Sequence, residues 1–305
     1  MVLADLRDRY PVLDGWMVQL QGLLDPRRVV LAPDDQALHL AWWSEDDWQL
    51  SSIDLPPDLC RAGQPLNRQA LGETIADLLL ERGLTTAQVT VELLLPLASC
   101  QWRVLTGHAA PELRTAEDLR ALQPELSWSL SLQESYLDVV PMPERDAALV
   151  VGAERLLLQA WLETLEEADV PVRRAEWVLL SAWRGLLVAH AGLDQRLVWL
   201  VEQGGRWRLL LLCDGCPQVD LTLEGSDIPS LQDEVSELVQ AWCDRAEAGA
   251  AASGSVSVPG WWVTAAAQSR GQWGAVHDPK QGPLRSDAEM SLLGLALMAP
   301  LEASR

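Results

Sequence analysis

The sequence predicts an α/β protein built on a plan used twice. Two stretches of the chain each offer three short strands joined by tight turns. Each of these meanders is followed by an amphipathic helix and then by a further strand, and a helix between strands returns the chain beside the first sheet. At 305 residues, 49% apolar and 22% charged, the chain is long and apolar enough for one large domain or two modest ones.

Residues 1–27 read as a short helical or irregular extension, interrupted by Pro11, Gly15, Gly22 and Pro26. Strands follow at Arg28–Ala32, Ala37–Trp43 and Asp47–Ile53, with Pro33-Asp34-Asp35 and Ser44-Glu45-Asp46 as the turns. Asn67 offers the N-cap of a helix whose apolar face is Leu71, Ile75, Leu78 and Leu79 and which ends at Gly83. Gln88–Leu95 and Gln101–Leu105 are strands, and a weak helix lies near Ala116–Leu122. Strands at Ser135–Val140 and Ala147–Val151 precede a strong helix over about Glu154–Ala168, where Leu158, Trp161, Leu162 and Leu165 share one face. A strand at Pro171–Glu176 feeds the helix Trp177–Ala191.

The second meander is Arg196–Glu202, Arg206–Cys213 and Gln218–Leu223, turned by Gly204-Gly205 and by Asp214-Gly215. Asp-Gly favours a type I′ hairpin because both central positions need positive φ. A helix with the stripe Leu231, Val235, Leu238, Val239 and Trp242 follows, and Ser230 with Asp233 resembles its capping box. Glu247–Ser255 reads as a flexible loop and Trp261–Ala265 as a strand. Ser286 with Glu289 is expected to cap a closing helix that runs through Leu297.

A formal charge of −21 argues against nucleic acid, whose phosphates require Lys and Arg, and against direct binding to an anionic membrane. No stretch reaches the ~18 uninterrupted apolar residues of a membrane span, and the start of the chain has no signal-peptide core, so the cytoplasm is expected. Five cysteines over this length do not suggest a disulfide framework. The chain has no Phe, one Lys and 15 Trp, so Trp is expected to fill core volume that Phe fills elsewhere.

Few constellations carry chemistry. Cys213-Asp-Gly-Cys216 straddles the expected hairpin rather than a helix N-terminus, and no second pair completes a zinc site, so it reads as turn residues. His39, His108, His190 and His277 have no partners at ligand spacing. Ser44-Glu45-Asp46-Asp47 reads as a solvated turn, with a docking patch for a basic peptide as the alternative. Adjacent indoles at Trp42-Trp43 and Trp261-Trp262 point to opposite sides of a strand. One of each pair must leave the local core face, either beneath a helix or as partner surface.

The duplicated plan resembles the actin-like superfamily (a duplicated ribonuclease H-like fold). Within it, the chain is similar to the PilM family of type IV pilus assembly proteins, relatives of FtsA, and more distantly to the cytoplasmic domain of GspL. Leu122–Val140 (LQPELSWSLSLQESYLDVV), Ala147–Trp177 and the closing Gly294-Leu295-Ala296-Leu297 carry this resemblance. It implies a first actin-like subdomain over 28–95 plus 173–192, an inserted FtsA/PilM-type subdomain over 96–172, and a shortened second subdomain over 193–305.

Actin-like ATPases grip ATP with two glycine hairpins and a glycine pair near adenosine. Here the first hairpin is Ala32-Pro33-Asp34, without glycine and with a proline that lacks a donor. The second is Glu202-Gln203-Gly204-Gly205, a vestigial nucleotide loop in which Glu202, Gly204 and Gly205 are the retained positions. Ala265-Ala266-Ala267 stands where the adenosine glycines belong. The resemblance therefore implies an adaptor rather than an enzyme, with no catalytic residues, no metal and no cofactor. Its expected partner is the cytoplasmic N-terminal segment of a PilN-like inner-membrane protein, which holds it peripherally at that membrane. The alternatives are an actin-like ATPase that still binds ATP and a GspL-like secretion component; GspL proteins carry a span.

Overall fold

The computed structural model describes residues 26–44, 47–106, 115–122, 131, 133–142, 146–189, 196–225, 227–250, 258–282, 284–285 and 291–298. They form two compact units that divide after Trp177.

The first unit is organised by a five-stranded sheet. Strands β1 (Arg27–Pro33), β2 (Ala37–Ser44) and β3 (Asp47–Asp54) form the expected antiparallel meander. A small hairpin, β4 (Cys60–Arg61) with β5 (Gln64–Pro65), precedes helix α1 (Arg68–Glu81). Asn67 caps α1 by accepting from the Ala70 amide, and Gly83 ends it at φ 69°. Strand β6 (Val89–Leu95) returns parallel to β1.

Strand β7 (Cys100–Thr106), helix α2 (Ala116–Leu122) and strands β8 (Ser135–Met142) and β9 (Ala147–Glu154) come next. The three strands make a separate antiparallel sheet in the order β7-β9-β8. Leu119 of α2 packs on Val139, Ala148 and Val150 of that sheet. Helix α3 (Arg155–Glu167) then leads to β10 (Val172–Trp177), which lies parallel to β6 and completes the large sheet as β10-β6-β1-β2-β3. Helices α1 and α3 meet at Gly72, where a Cβ would come within 2.8 Å of Glu167 Cβ and 2.9 Å of the Thr164 carbonyl oxygen.

The second unit repeats the plan. Helix α4 (Val178–Ala189) precedes the meander β11 (Arg196–Gln203), β12 (Arg206–Cys213) and β13 (Cys216–Leu223). Helix α5 (Ile228–Ala250) leads to β14 (Gly260–Thr264), parallel to β11. Helix α6 (Ala267–Val276), the two-residue strand β15 (Leu284–Arg285) and helix α7 (Leu292–Met298) close the chain. The sheet order is β13-β12-β11-β14-β15, the same sequence of antiparallel and parallel neighbours as in the first unit. Ser181 of α4 donates to the Ala296 carbonyl of α7 at 3.1 Å.

Several local expectations are corrected. Asp227, not Ser230, caps α5: its carboxylate accepts from the Ser230 amide and hydroxyl at 3.0 and 2.8 Å. These hydrogen bonds hold the exposed Asp227 carboxyl below its ordinary value. The helix also runs through Ala250, past the start of the expected loop at Glu247. Helix α6 was not expected at all. Ser291 caps the described part of the closing helix by accepting from the Gly294 amide; the expected Ser286–Glu289 pair lies outside the described residues, as do His108 and His190.

The indoles do fill the core. Trp161, Trp177, Trp199, Trp261, Trp262 and Trp273 are fully buried. Several also tie distant elements through their N–H, the polar handle that Phe lacks. Trp161 donates to the Gly63 carbonyl at 2.9 Å, Trp199 to the Thr264 hydroxyl at 2.9 Å and Trp261 to the Gln281 carbonyl at 2.9 Å. Both members of the Trp261-Trp262 pair are buried, whereas Trp43 is 53% exposed.

Candidate functional site

In the first unit the positions that a phosphate-gripping hairpin would use are the β1–β2 turn. A nest of backbone amides binds an anion when those amides are free. Here they are not. The Asp34 carboxylate accepts from the amides of Gln36 and Ala37, both at 2.7 Å. The Asp35 carboxylate accepts from the amides of Ala62 and Gly63, both at 2.8 Å. Four donors are thus satisfied by two of the chain's own carboxylates, and an incoming phosphate would have to displace negative charge to reach any of them.

The surrounding side chains hold the plug in place. His39 Nε2 lies 3.2 Å from Asp34 Oδ2, and its Nδ1 lies 2.7 Å from the Ser52 hydroxyl. Burial acts to raise the Asp34 carboxyl, but the bonds from His39, Gln36 and Ala37 outweigh it and leave the group below its ordinary value. Cys60 packs against the same acids; burial first, then the Asp35 and Asp34 charges, push its thiol up to about 12, so it is no nucleophile. Gly63, held by Asp35, sits at φ 77°, and a Cβ there would come within 2.5 Å of Ser99 Oγ. Its glycine is therefore required both by the backbone and by space.

In the second unit, the β11–β12 hairpin brings Glu202, Gly204 and Gly205 together as expected. Gln203 pairs with Arg206, and Gly204 and Gly205 form the two-residue turn at φ 59° and 74°, a type I′ geometry. A Cβ on Gly205 would meet nothing within 4 Å, so backbone conformation rather than crowding demands that glycine. The Glu202 carboxylate is engaged elsewhere: it accepts from the Ala266 amide at 3.1 Å. Ala266 is the N-cap of α6 and makes no side-chain cap of its own. Glu202 therefore satisfies one of the free amides at the start of α6 and places negative charge beside the positive helix end, which disfavours an anion there. The Ala265-Ala266-Ala267 turn and the Glu202–Gly205 hairpin are two ends of this one interaction, a link the sequence order does not reveal.

Cys213 and Cys216 are register partners flanking the Asp214-Gly215 turn, whose φ values are 49° and 75°. This is the hairpin expected from Asp-Gly. Among the described residues no group of three or more His, Cys, Asp or Glu side chains converges as a metal-ligand set.

No protein-family model matches the chain, and no curated protein matches it in sequence. Solved structures do. A chain of the PilM–PilN type IV pilus biogenesis complex is similar over 89% of this chain and 97% of its own length, at 18% identity and a TM-score of 0.58. The cytoplasmic domain of EpsL, an inner-membrane component of the type II secretion system of Vibrio cholerae, is similar over 92% and 96%, at 13% identity and a TM-score of 0.51. A Bacteroides thetaiotaomicron protein with an actin-like ATPase fold and unknown function is similar over 90% and 96%, at 8% identity and a TM-score of 0.57. The resemblance read from the residues thus recurs in three dimensions: this chain has an actin-like α/β fold, similar to that in the PilM–PilN complex, with its two sheets built to one order.

Proposed function

We propose that this chain is a non-catalytic adaptor of a type IV pilus-like assembly platform. In this reading it binds the cytoplasmic N-terminal segment of a PilN-like inner-membrane protein and is held peripherally at that membrane by its partner. The observation that carries the reading is the plugged β1–β2 turn, where Asp34 occupies the amides of Gln36 and Ala37, with Asp35 holding those of Ala62 and Gly63 in the β4–β5 hairpin, so that carboxylates stand where a phosphate would seek donors. Two further facts support it. The similar PilM–PilN structure is a complex, and a chain of formal charge −21 complements the Lys/Arg-rich flanks of membrane spans. We assign the partner groove to the inserted subdomain (96–172) and its border with 28–95, and treat Glu202, Gly204 and Gly205 as remnants of a nucleotide loop.

Calorimetric titration of the partner's N-terminal segment into the pure chain tests this, with binding in the micromolar range expected. Neither heat nor a thermal shift at saturating peptide would overturn it. A second reading, a weak ATP binder, is favoured by the open space around Gly205. Millimolar Mg-ATP would then raise the melting temperature by several degrees through linkage; we expect less than about one degree. A third, a secretion component of the EpsL type, shares the fold, and a partner from that system that binds in place of the pilus segment would favour it.

A further inference from the structure

The two meanders end in edge strands of different character. β13 carries Pro217, a register shift next to it and the ion pair between Arg208 and Asp220, devices that blunt a sheet edge. β3 has none of these: it reads Asp-Trp-Gln-Leu-Ser-Ser-Ile-Asp, eight residues, and is the terminal strand of its sheet among the described residues.

Its hydrogen-bonding direction follows from the register. Leu55 donates to the Gln36 carbonyl, and β2–β3 partners sum to the same register number, so Asp47, Gln49, Ser51 and Ile53 face β2. Trp48, Leu50 and Ser52 therefore turn their backbone groups away from the sheet. The Asp47 carboxylate already folds onto the Trp48 amide at 2.8 Å, as an outward donor without a neighbouring strand invites. Beside this open ladder, Trp43 and Trp48 stack edge-to-face at 5.5 Å, with Trp43 53% and Leu50 60% exposed. Trp43, Trp48 and Leu50 share one face by register parity.

We propose that β3 is a docking edge for an extended segment of a partner protein that adds as a further strand. The segment has alternating apolar residues and a Lys or Arg at each end. The apolar side chains cover Trp48 and Leu50, while the basic ends meet Asp47 and Asp54, which bound the strand and are both exposed. A second copy of this chain fits poorly. Antiparallel self-pairing sets the Asp54 end of each copy against the Asp47 end of the other, and each copy carries a formal charge of −21. This inference does not rest on the pilus reading.

The test uses the full chain and two synthetic probes, eight-residue peptides of alternating Val and Thr with Arg at both ends or with Glu at both ends. The Arg-ended peptide is expected to bind about tenfold more tightly and to slow hydrogen exchange at the Leu50 and Ser52 amides. Leu50→Pro removes an outward donor without touching the β2 ladder, and should weaken binding at least about tenfold. Because proline can disturb the strand, Asp47→Lys with Asp54→Lys provides the second arm, which should invert the preference between the two peptides. Equal affinity for both peptides, or no binding of either at millimolar concentration, overturns the proposal. So does slow exchange at Leu50 and Ser52 in the free chain, which would mean another segment or, if concentration-dependent, a second copy already covers the edge.

Discussion

The two five-stranded sheets share one topology but stabilise themselves differently. In the first, charge is built into the sheet: the buried Glu92 of β6 pairs with Arg28 of β1 and lies 3.8 Å from Arg174 of β10, which also bonds Glu176 at 2.8 Å. In the second, the ion pair sits between the outer strands, Arg208 of β12 with Asp220 of β13, and the core is apolar. Trp207, Trp261 and Trp273 pack with Val198, Leu209 and Val235 into one apolar cluster, and Trp207 stacks on Trp273 with ring centres 5.6 Å apart. The difference shows that strand order follows from meander and crossover, while the side chains placed on it are free to diverge. The turns differ in the same way: the Asp34 carboxylate fills the amides of the β1–β2 turn, while the β11–β12 turn is built of two glycines.

The largest predicted effect breaks the apolar cluster of the second unit. Trp273→Ala should cost about 3–5 kcal/mol in denaturant unfolding, because it empties a site with no solvent access. Trp273→Phe should cost far less, about 1 kcal/mol, since the indole nitrogen has no partner among the described residues and its loss carries no hydrogen-bond penalty.

On the charged side, Glu92→Ala should cost about 1–2 kcal/mol, mainly by taking the counter-ion from Arg28, since Arg174 keeps Glu176 and both arginines reach solvent. Glu92→Gln should recover part of that, and exchange protection should fall in the first sheet but not in the second. If both sheets loosen together in either experiment, they do not behave as separate compact units.

The smallest effect concerns the plug. Asp34→Ala should cost about 1 kcal/mol, since the Gln36 and Ala37 amides can turn to water. The folded Asp34 carboxyl lies below its ordinary value of 3.8, so its stabilisation is present above that value and is lost as pH falls through the folded one. Acid unfolding of the wild type should therefore be steeper below about pH 4 than that of Asp34→Asn. Identical acid profiles would remove the carboxylate from the stability of this turn. Asp34→Asn should also leave Mg-ATP binding as weak as before, because Asn still accepts from the same amides.

Much of the plan was legible because it is written locally. Asn67 and Gly83 bracket α1, Asp214-Gly215 turns a hairpin, and the stripe of α5 repeats at helical spacing; in α3 the buried face is Ala160, Trp161, Thr164 and Leu165, and the expected Leu162 is exposed. Helix α6 was not legible for a local reason too: Ala-Gln-Ser-Arg-Gly-Gln-Trp-Gly-Ala-Val carries two glycines, no capping side chain and a single large apolar anchor, Trp273. The amide at its start bonds Glu202, 64 positions away. The misassigned cap of α5 has another origin, since Asp227 and Ser230 both have capping chemistry and only the backbone geometry chooses between them.

By itself the sequence determined the class, the duplicated order of elements and the lack of glycine in Ala32-Pro33-Asp34 and Ala265-Ala266-Ala267. These are set by periodicity, turn chemistry and residue type, all of which act over a few residues. Only the tertiary structure decided how these groups are used: that Asp34 accepts from amides of its own turn and Asp35 from those of the β4–β5 hairpin, that Glu202 bonds the amide at the start of α6, and that β3 and β13 are the terminal strands of their sheets among the described residues. Each of these is a hydrogen bond, or a missing one, set by how strands and helices meet in space, and chain order does not fix where a side chain finds its donor.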